Sequence, residues 1–282
     1  MRIDAHHHLW DLARHPQPWM TGPWADPLRR DHTLAELIPQ LAAHRIDATV
    51  LVQSSSSTAE TADLLAVAAG PGPVRGVVGW ADLTDPELPA TLAGHPPALV
   101  GLRHQVQDEP DPDWLVRPDV LRGLRAVAAA GLVYDLLVTP RELPAALAAA
   151  RAVPELAFVL DHAGKPAIGG GGDAGWAAAL TALAALPHVN CKLSGLVTEA
   201  APAHRRPDRL LPYARHVLDT FGPGRVLFGS DWPVCTLAAD YATVHALAET
   251  ATVHLTPAER AAVFGGTATR VYGLGEPDAR TD

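Results

Sequence analysis

A first apolar stretch, Met1-Arg-Ile-Asp-Ala-His-His-His-Leu-Trp, ends on His6, His7 and His8. Read as a strand from Arg2, its side chains alternate, so His6 and His8 share one face and His7 takes the other. Two imidazoles converging at a strand end can bind a divalent cation or polarise a substrate oxygen. Three histidines inside a patterned segment are too few for most affinity tags. Other apolar runs also end on polar groups: Arg103 and His104, then Asp161, His162 and Lys165, then Lys192 and Ser194, then Asp231 beside Trp232. A lone histidine in such a place is most often a core or surface residue. A whole set ending successive strands must share one crowded region, where burial and mutual charge tune proton affinity as an active site requires.

The elements that must position this set can be read from apolar runs bounded by turn residues. Strands are expected at 2–7, 48–53, 74–80, 98–103, 132–138, 156–161, 188–193 and 225–230, each followed by a helical pattern. Ala48-Thr-Val-Leu-Val-Gln and Leu156-Ala-Phe-Val-Leu-Asp are almost continuously apolar, which suits parallel strands buried on both faces. Between strands, Val120–Ala130, Leu143–Ala152, Trp176–Leu186 and Ala238–Ala251 carry Ala and Leu at helical spacing. Four hydroxyl residues with a Glu three positions on predict helix starts: Thr33/Glu36, Ser57/Glu60, Thr139/Glu142 and Thr256/Glu259. Pro140 and Pro257 then fall at the first helical position, where proline is tolerated.

Strand–helix alternation with right-handed crossovers makes a single (β/α)8 barrel over residues 1–282 the economical α/β topology, and its carboxyl-end face collects chemistry. The alternative, a doubly wound open sheet, would usually announce a GxGxxG turn after its first strand, and none is present. Residues 10–30 hold Trp10, Trp19 and Trp24 among prolines, a segment expected to fold over the barrel mouth. Gly169–Gly172 reads as a flexible loop and Glu276–Asp282 as a frayed tail.

Composition narrows the partners. A net charge of -9 with no basic cluster argues against nucleic acid and for small molecules. Only Cys191 and Cys235 are present, with no CxxC pair, which favours a reducing compartment. No membrane-length apolar run or secretory leader is evident, so a cytoplasmic location is expected, with oligomeric state left open.

Taken in order, Ile3-Asp-Ala-His-His-His-Leu-Trp, Gly101-Leu-Arg-His, Leu160-Asp-His-Ala-Gly-Lys-Pro, Asn190-Cys-Lys-Leu-Ser-Gly and Phe228-Gly-Ser-Asp-Trp-Pro-Val resemble the amidohydrolase superfamily. Within it they resemble the amidohydrolase-2 branch, and there the sugar lactonases that hydrolyse L-fuconolactone and L-rhamnonolactone. The resemblance spans Arg2 to about Leu274. It implies that His6, His8, His162 and Asp231 occupy the functional positions, with Asp231 the base that activates water. The fifth strand, Leu132-Val-Tyr-Asp-Leu-Leu-Val, departs from the metal-rich pattern by lacking a histidine, so two metals are not expected. One zinc held by His6, His8 and Asp231 with His162 nearby is one option, since hydrolytic zinc commonly has three protein ligands. A metal-free site with imidazole donors is the other.

The implied activity is opening of a small aldonolactone to its acid, which needs a water nucleophile, a proton acceptor and donors aimed at the oxygen that becomes negative. Arg103, His104, Lys165 and Lys192 are then candidates for holding sugar hydroxyls or the new carboxylate, and Trp232 and the Trp10, Trp19 and Trp24 group for stacking on the ring. A metal-dependent decarboxylase, another amidohydrolase-2 hydrolase and a non-catalytic binding barrel are the competing readings.

Overall fold

The computed structural model describes residues 1–275 other than Gly172. The last glycine of the Gly169–Gly172 run and the 276–282 tail therefore lie outside the described residues. Eight parallel strands pair in chain order: β1 (Ile3–His7), β2 (Ala48–Val52), β3 (Val74–Gly79), β4 (Leu99–His104), β5 (Val133–Leu136), β6 (Phe158–Leu160), β7 (Val189–Leu193) and β8 (Val226–Phe228). A parallel bridge from His7 to Trp232 closes the ring, and Asp231 N donates to His6 O at 2.8 Å beside it. This is a (β/α)8 barrel, not an open sheet. The expected strands all form, with ends displaced by no more than about two residues, the usual uncertainty of boundaries.

The outer layer comprises α1 (Leu34–Ala43), α2 (Thr58–Ala69), α3 (Leu88–Leu92), α4 (Pro118–Ala129), α5 (Leu143–Ala152), α6 (Asp173–Ala184), α7 (Pro207–Phe221), α8 (Tyr241–Ala251), α9 (Pro257–Ala261) and α10 (Thr267–Tyr272). Reciprocal capping boxes form at Thr33/Glu36 and Thr256/Glu259, with Pro257 in the first turn. The other two pairs do different work. Ser57 accepts the Glu60 amide at 3.2 Å, but the Glu60 carboxylate turns back to the amides of Ser54 and Ser55 at 3.0 and 2.9 Å. Glu142 accepts from the Thr139 amide at 2.8 Å and closes a turn, so α5 starts only at Leu143 and Pro140 precedes it. In each case a carboxylate serves the amides that the local chain path leaves unpaired.

Two hydrophobic cores follow from alternation along buried strands. Leu102, Tyr134, Leu136, Phe158, Leu160, Cys191, Leu193 and Phe228 face the helices. Ile3, Ala5, Val50, Val78, Val133, Val159 and Leu227 fill the lower lumen, where Ala268 and Tyr272 of α10, with Leu274, plug it. Each such valine or leucine stabilises by about 1.5–3 kcal/mol on burial. The apolar plug confines polar lumen residues to the upper layers.

Strand β1 is not regular. Its pairing with β2 runs Ile3↔Ala48 and Asp4↔Thr49, then slips a residue to His7↔Leu51. A strict alternation from Arg2 would put Asp4 on the same face as His6 and His8. The slip instead sends Asp4 outward, where it accepts from Tyr241 of α8 at 3.1 Å and from the Ser230 amide at 2.8 Å. His6 and His8 still face inward, while His7 bonds Thr49 Oγ1 at 2.9 Å on the outer side. Among the described residues no helix is long and apolar enough to cross a membrane.

Candidate active site

Above the apolar plug lies a buried layer of charge. Lys192 Nζ, from β7, donates to Asp135 Oδ2 of β5 at 2.5 Å, lies 2.9 Å from Asp161 Oδ1 and 3.0 Å from His6 Nδ1. The Tyr272 hydroxyl donates to Asp135 from below at 2.9 Å. Arg103 of β4 donates to Asp161 Oδ2 at 3.0 Å and to the Gln53 carbonyl. None of these four ionic side chains is more than 3% exposed, so two cations offset two carboxylates where neither sign would survive alone. Burial pushes Asp161 up, but Lys192, His6 and Arg103 outweigh it and hold the carboxyl well below its ordinary value.

The imidazoles stand on this layer. His6 Nε2 and His8 Nε2 are 3.1 Å apart, and Asp231 Oδ1 lies 3.7 Å from the first, 3.5 Å from the second and 3.9 Å from His162 Nε2. Backbone geometry aims the last two groups: His162 and Asp231 hold left-handed φ values of 51° and 57° at the ends of β6 and β8. Glycines clear the space. A Cβ at Gly195 would sit 2.7 Å from the His162 ring, and one at Gly229 would sit 2.6 Å from His6 Cβ.

Burial sets the protonation of this cluster. It lowers His8 to about 3 and His162 to about 4, and with the positive charge of Lys192 it takes His6 well below the ordinary histidine value. Burial raises Asp231, partly opposed by His162, Lys165 and Arg103. The arrangement at pH 7 is three neutral imidazoles around the Asp231 carboxyl group. His8 Nδ1 donates to the Val52 carbonyl at 2.8 Å, which leaves its Nε2 lone pair directed at the cluster, and His162 Nδ1 pairs with Ser194 Oγ at 2.9 Å.

That donor set fits a zinc ion. Ligand atoms of His6, His8 and Asp231 fall within 4.8 Å of one another, with neutral nitrogens and a carboxylate oxygen as zinc prefers. A second combination, His6, Asp161 and His162, draws on the same His6 ring, so the two are alternatives rather than a pair of sites.

A cavity of about 510 Å³ opens above, with His8, Arg103, His162 and Asp231 at its floor. Lys165 lines its side, paired with Glu199 at 3.3 Å, and Trp19 and Trp24 from the 10–30 segment form part of its wall. Four expected contacts lie elsewhere. Lys192 is fully buried beneath His6 and is a partner of Asp135 and Asp161, out of a substrate's reach. His104 stacks on Trp114 at 4.3 Å, bonds Glu109 at 2.7 Å and lines a neighbouring cavity of about 600 Å³. Trp232 packs edge-on to His32 at 5.4 Å within the core, and Trp10 is likewise buried under the loop. Ser230 serves the backbone, accepting from the Trp232 amide at 3.1 Å. Sequence reasoning passes over Gln53, Tyr272 and Arg205, and sees Asp135 on the fifth strand without pairing it to Lys192. Asp135 carried the available signal, an acidic residue inside an apolar strand; Arg205 sits in a loop with no pattern.

The amidohydrolase family profile matches residues 3–274 of this chain. The chain is 43% identical to an L-fucono-1,5-lactonase of Burkholderia ambifaria, over 98% of this chain and 97% of that protein. It is 44% identical to an L-fucono-1,5-lactonase of Burkholderia multivorans, over 99% of each. Among solved structures it is similar to an amidohydrolase from Burkholderia multivorans with bound zinc, at a TM-score of 0.92 and 42% identity, covering 98% of this chain and 100% of that one.

Proposed function

Because this chain belongs to the amidohydrolase family, we propose that it is a hydrolase opening a small sugar lactone to the aldonic acid, with L-fucono-1,5-lactone the first substrate to test. The observation that carries the reading is the convergence of three neutral imidazoles and Asp231, with His8, His162 and Asp231 at the floor of an aromatic-walled cavity and His6 buried beside them. Relatives named for this reaction match almost end to end.

The chemistry follows from what the groups can do. Asp231, the carboxylate its neighbours leave facing the cavity, takes a proton from water as the water oxygen bonds to the lactone carbonyl carbon. The bond from that carbon to the ring oxygen then breaks, and the proton held by Asp231 passes to the departing oxygen, which becomes a hydroxyl. The carbonyl oxygen gains negative charge on the way, and Arg103 at the floor and Lys165 at the side are placed to favour it. Arg103 can do so without swinging, because Asp161 and the Gln53 carbonyl hold its guanidinium. A zinc ion held by His6, His8 and Asp231, with His162 close by, would supply Lewis-acid polarisation of the carbonyl. Asp161 and Lys192 act below, through His6.

A panel of aldonolactones read with a pH indicator, on metal-stripped and zinc-supplemented enzyme, tests the proposal. Acid release from the fuconolactone is expected. Carbon dioxide release from an aromatic acid, or binding without turnover across the panel, would replace the lactonase reading with a decarboxylase or a binding barrel.

A further inference from the structure

The cavity is two-sided. Its polar lining carries Gln105 and Gln107 from the segment after β4, and the Lys165–Glu199 pair. Its apolar wall carries Val234 and Leu237, one turn apart on the short helical segment Val234–Leu237. These two residues pack on a small hydrophobic cluster of Trp10, Met20, Ala25 and Leu28, yet each stays only half-buried, and what is uncovered is cavity wall. Arg205 fastens this wall: its Nε donates to Ala200 O at 3.3 Å and its Nη1 to Leu237 O at 3.2 Å, tying the loop after β7 to the one after β8.

The apolar wall is also close to the reacting end of the site. Val234 follows Asp231 in a turn closed by Cys235 N donating to Asp231 O at 2.8 Å. In an aldono-1,5-lactone the carbonyl carbon and C5 flank the same ring oxygen, so a carbonyl placed over Asp231 brings the C5 substituent to the neighbouring surface. The ring hydroxyls, on the other carbons, are left to the polar lining. We infer that Val234 and Leu237 form a subsite for a methyl group on C5, and thereby select 6-deoxy aldonolactones over 6-hydroxy counterparts of the same configuration. A methyl on Val234 and Leu237 is covered by carbon, whereas a hydroxyl there loses water and regains a partner only by reaching Arg205, which also lines the cavity and whose Nη1 is already held by Leu237 O. This inference rests on the lactonase reading and names the selectivity of that same site.

The test compares kcat/KM for two lactones matched in configuration, one ending in CH3 and the other in CH2OH, on zinc-supplemented enzyme. Wild type is expected to favour the methyl compound by about 10- to 100-fold, the discrimination an apolar pocket achieves against an added hydroxyl. Val234→Thr keeps the side-chain shape and adds a hydroxyl; Leu237→Asn nearly keeps it, replaces the two methyls by a polar amide and leaves the Arg205 bond to the backbone available. Each is expected to lower the selectivity ratio about tenfold, with thermal unfolding confirming that the variant is folded. A wild-type ratio within about threefold of one, or a ratio unchanged in the folded variants, overturns the inference; either variant alone decides if the other does not fold. Turnover of neither lactone would remove the lactonase reading itself, whereas equal turnover of both removes only the methyl subsite.

Discussion

Replacing Lys192 by Met is the perturbation that most directly probes how the site is supported. The ammonium lies 2.5 Å from Asp135 and 2.9 Å from Asp161, and all three side chains are completely buried. Without it Asp161 keeps Arg103 at 3.0 Å, but Asp135 keeps only the Tyr272 hydroxyl. Removing one member of a buried ion pair costs about 3–5 kcal/mol, because the other charge stays desolvated. At about 2 °C per kcal/mol for a chain of this size, the unfolding midpoint of the chelated protein should fall by about 6–10 °C at pH 8. Asp135 has an escape through protonation. Burial already lifts it to about 6 against the pull of Lys192, and the substitution removes that pull. The folded state then binds a proton that the unfolded state has released, so the variant loses stability as pH rises from the ordinary carboxylate range to the raised folded value. The deficit should therefore be smaller at pH 5.5 than at pH 8. Adding Asp135→Asn, which removes the stranded charge, should restore at least about half of it. Circular dichroism melts on the parent and the two variants decide the matter. A single variant melting within about 2 °C of the parent at pH 8, or a double variant less stable than the single, would refute the electrostatic reasoning.

Four further outcomes are expected. Asp231→Asn, nearly isosteric but unable to accept a proton, should lower kcat by about 10²–10⁴-fold with the fold retained; turnover within about tenfold of wild type would show that another group is the base. His6→Asn and His8→Asn should each abolish most activity, whereas His7→Asn should be mild in steady-state assays, because His7 faces Thr49 on the outer side of the barrel. Elemental analysis of zinc-supplemented enzyme should find about one equivalent, since both possible ligand groups use the His6 ring; two equivalents, both needed for activity, would bring a further carboxylate such as Asp135 or Asp161 into the ligand set. On an Asp135→Asn background, which removes the supporting carboxyl raised to about 6, the acid limb of log kcat/KM should have a slope of one: His8 and His162, lowered to about 3 and about 4, stay neutral above pH 5, leaving the raised Asp231 as the group at the cavity floor that gains a proton. A slope of two or more above pH 5 would show that imidazoles are titrating there.

What could be read from the chain alone was whatever depends on neighbours in sequence. The period of apolar residues located every strand of the barrel, and the polar residues ending those strands marked out a set of which His6, His8, His162 and Asp231 meet in one cluster. Hydroxyl–Glu spacing marked helix starts at Thr33 and Thr256, where the cap is a local bond, but misplaced the start near Thr139, where Glu142 closes a turn instead. Tertiary structure alone decided which polar groups meet. The slip in β1 depends on its pairing with β2 and sends Asp4 outward to Tyr241, 237 residues along the chain. Lys192 is a support rather than a substrate contact because the barrel's closure brings Asp135 and Asp161 to it, and His104 is turned aside by stacking on Trp114. Trp19 and Trp24 line the cavity while Trp10 and Trp232 do not, a distinction made by how the loop packs. Alternation assigns a residue to a face; which neighbour it finds there depends on the register and closure of strands far apart in sequence, which no local pattern encodes.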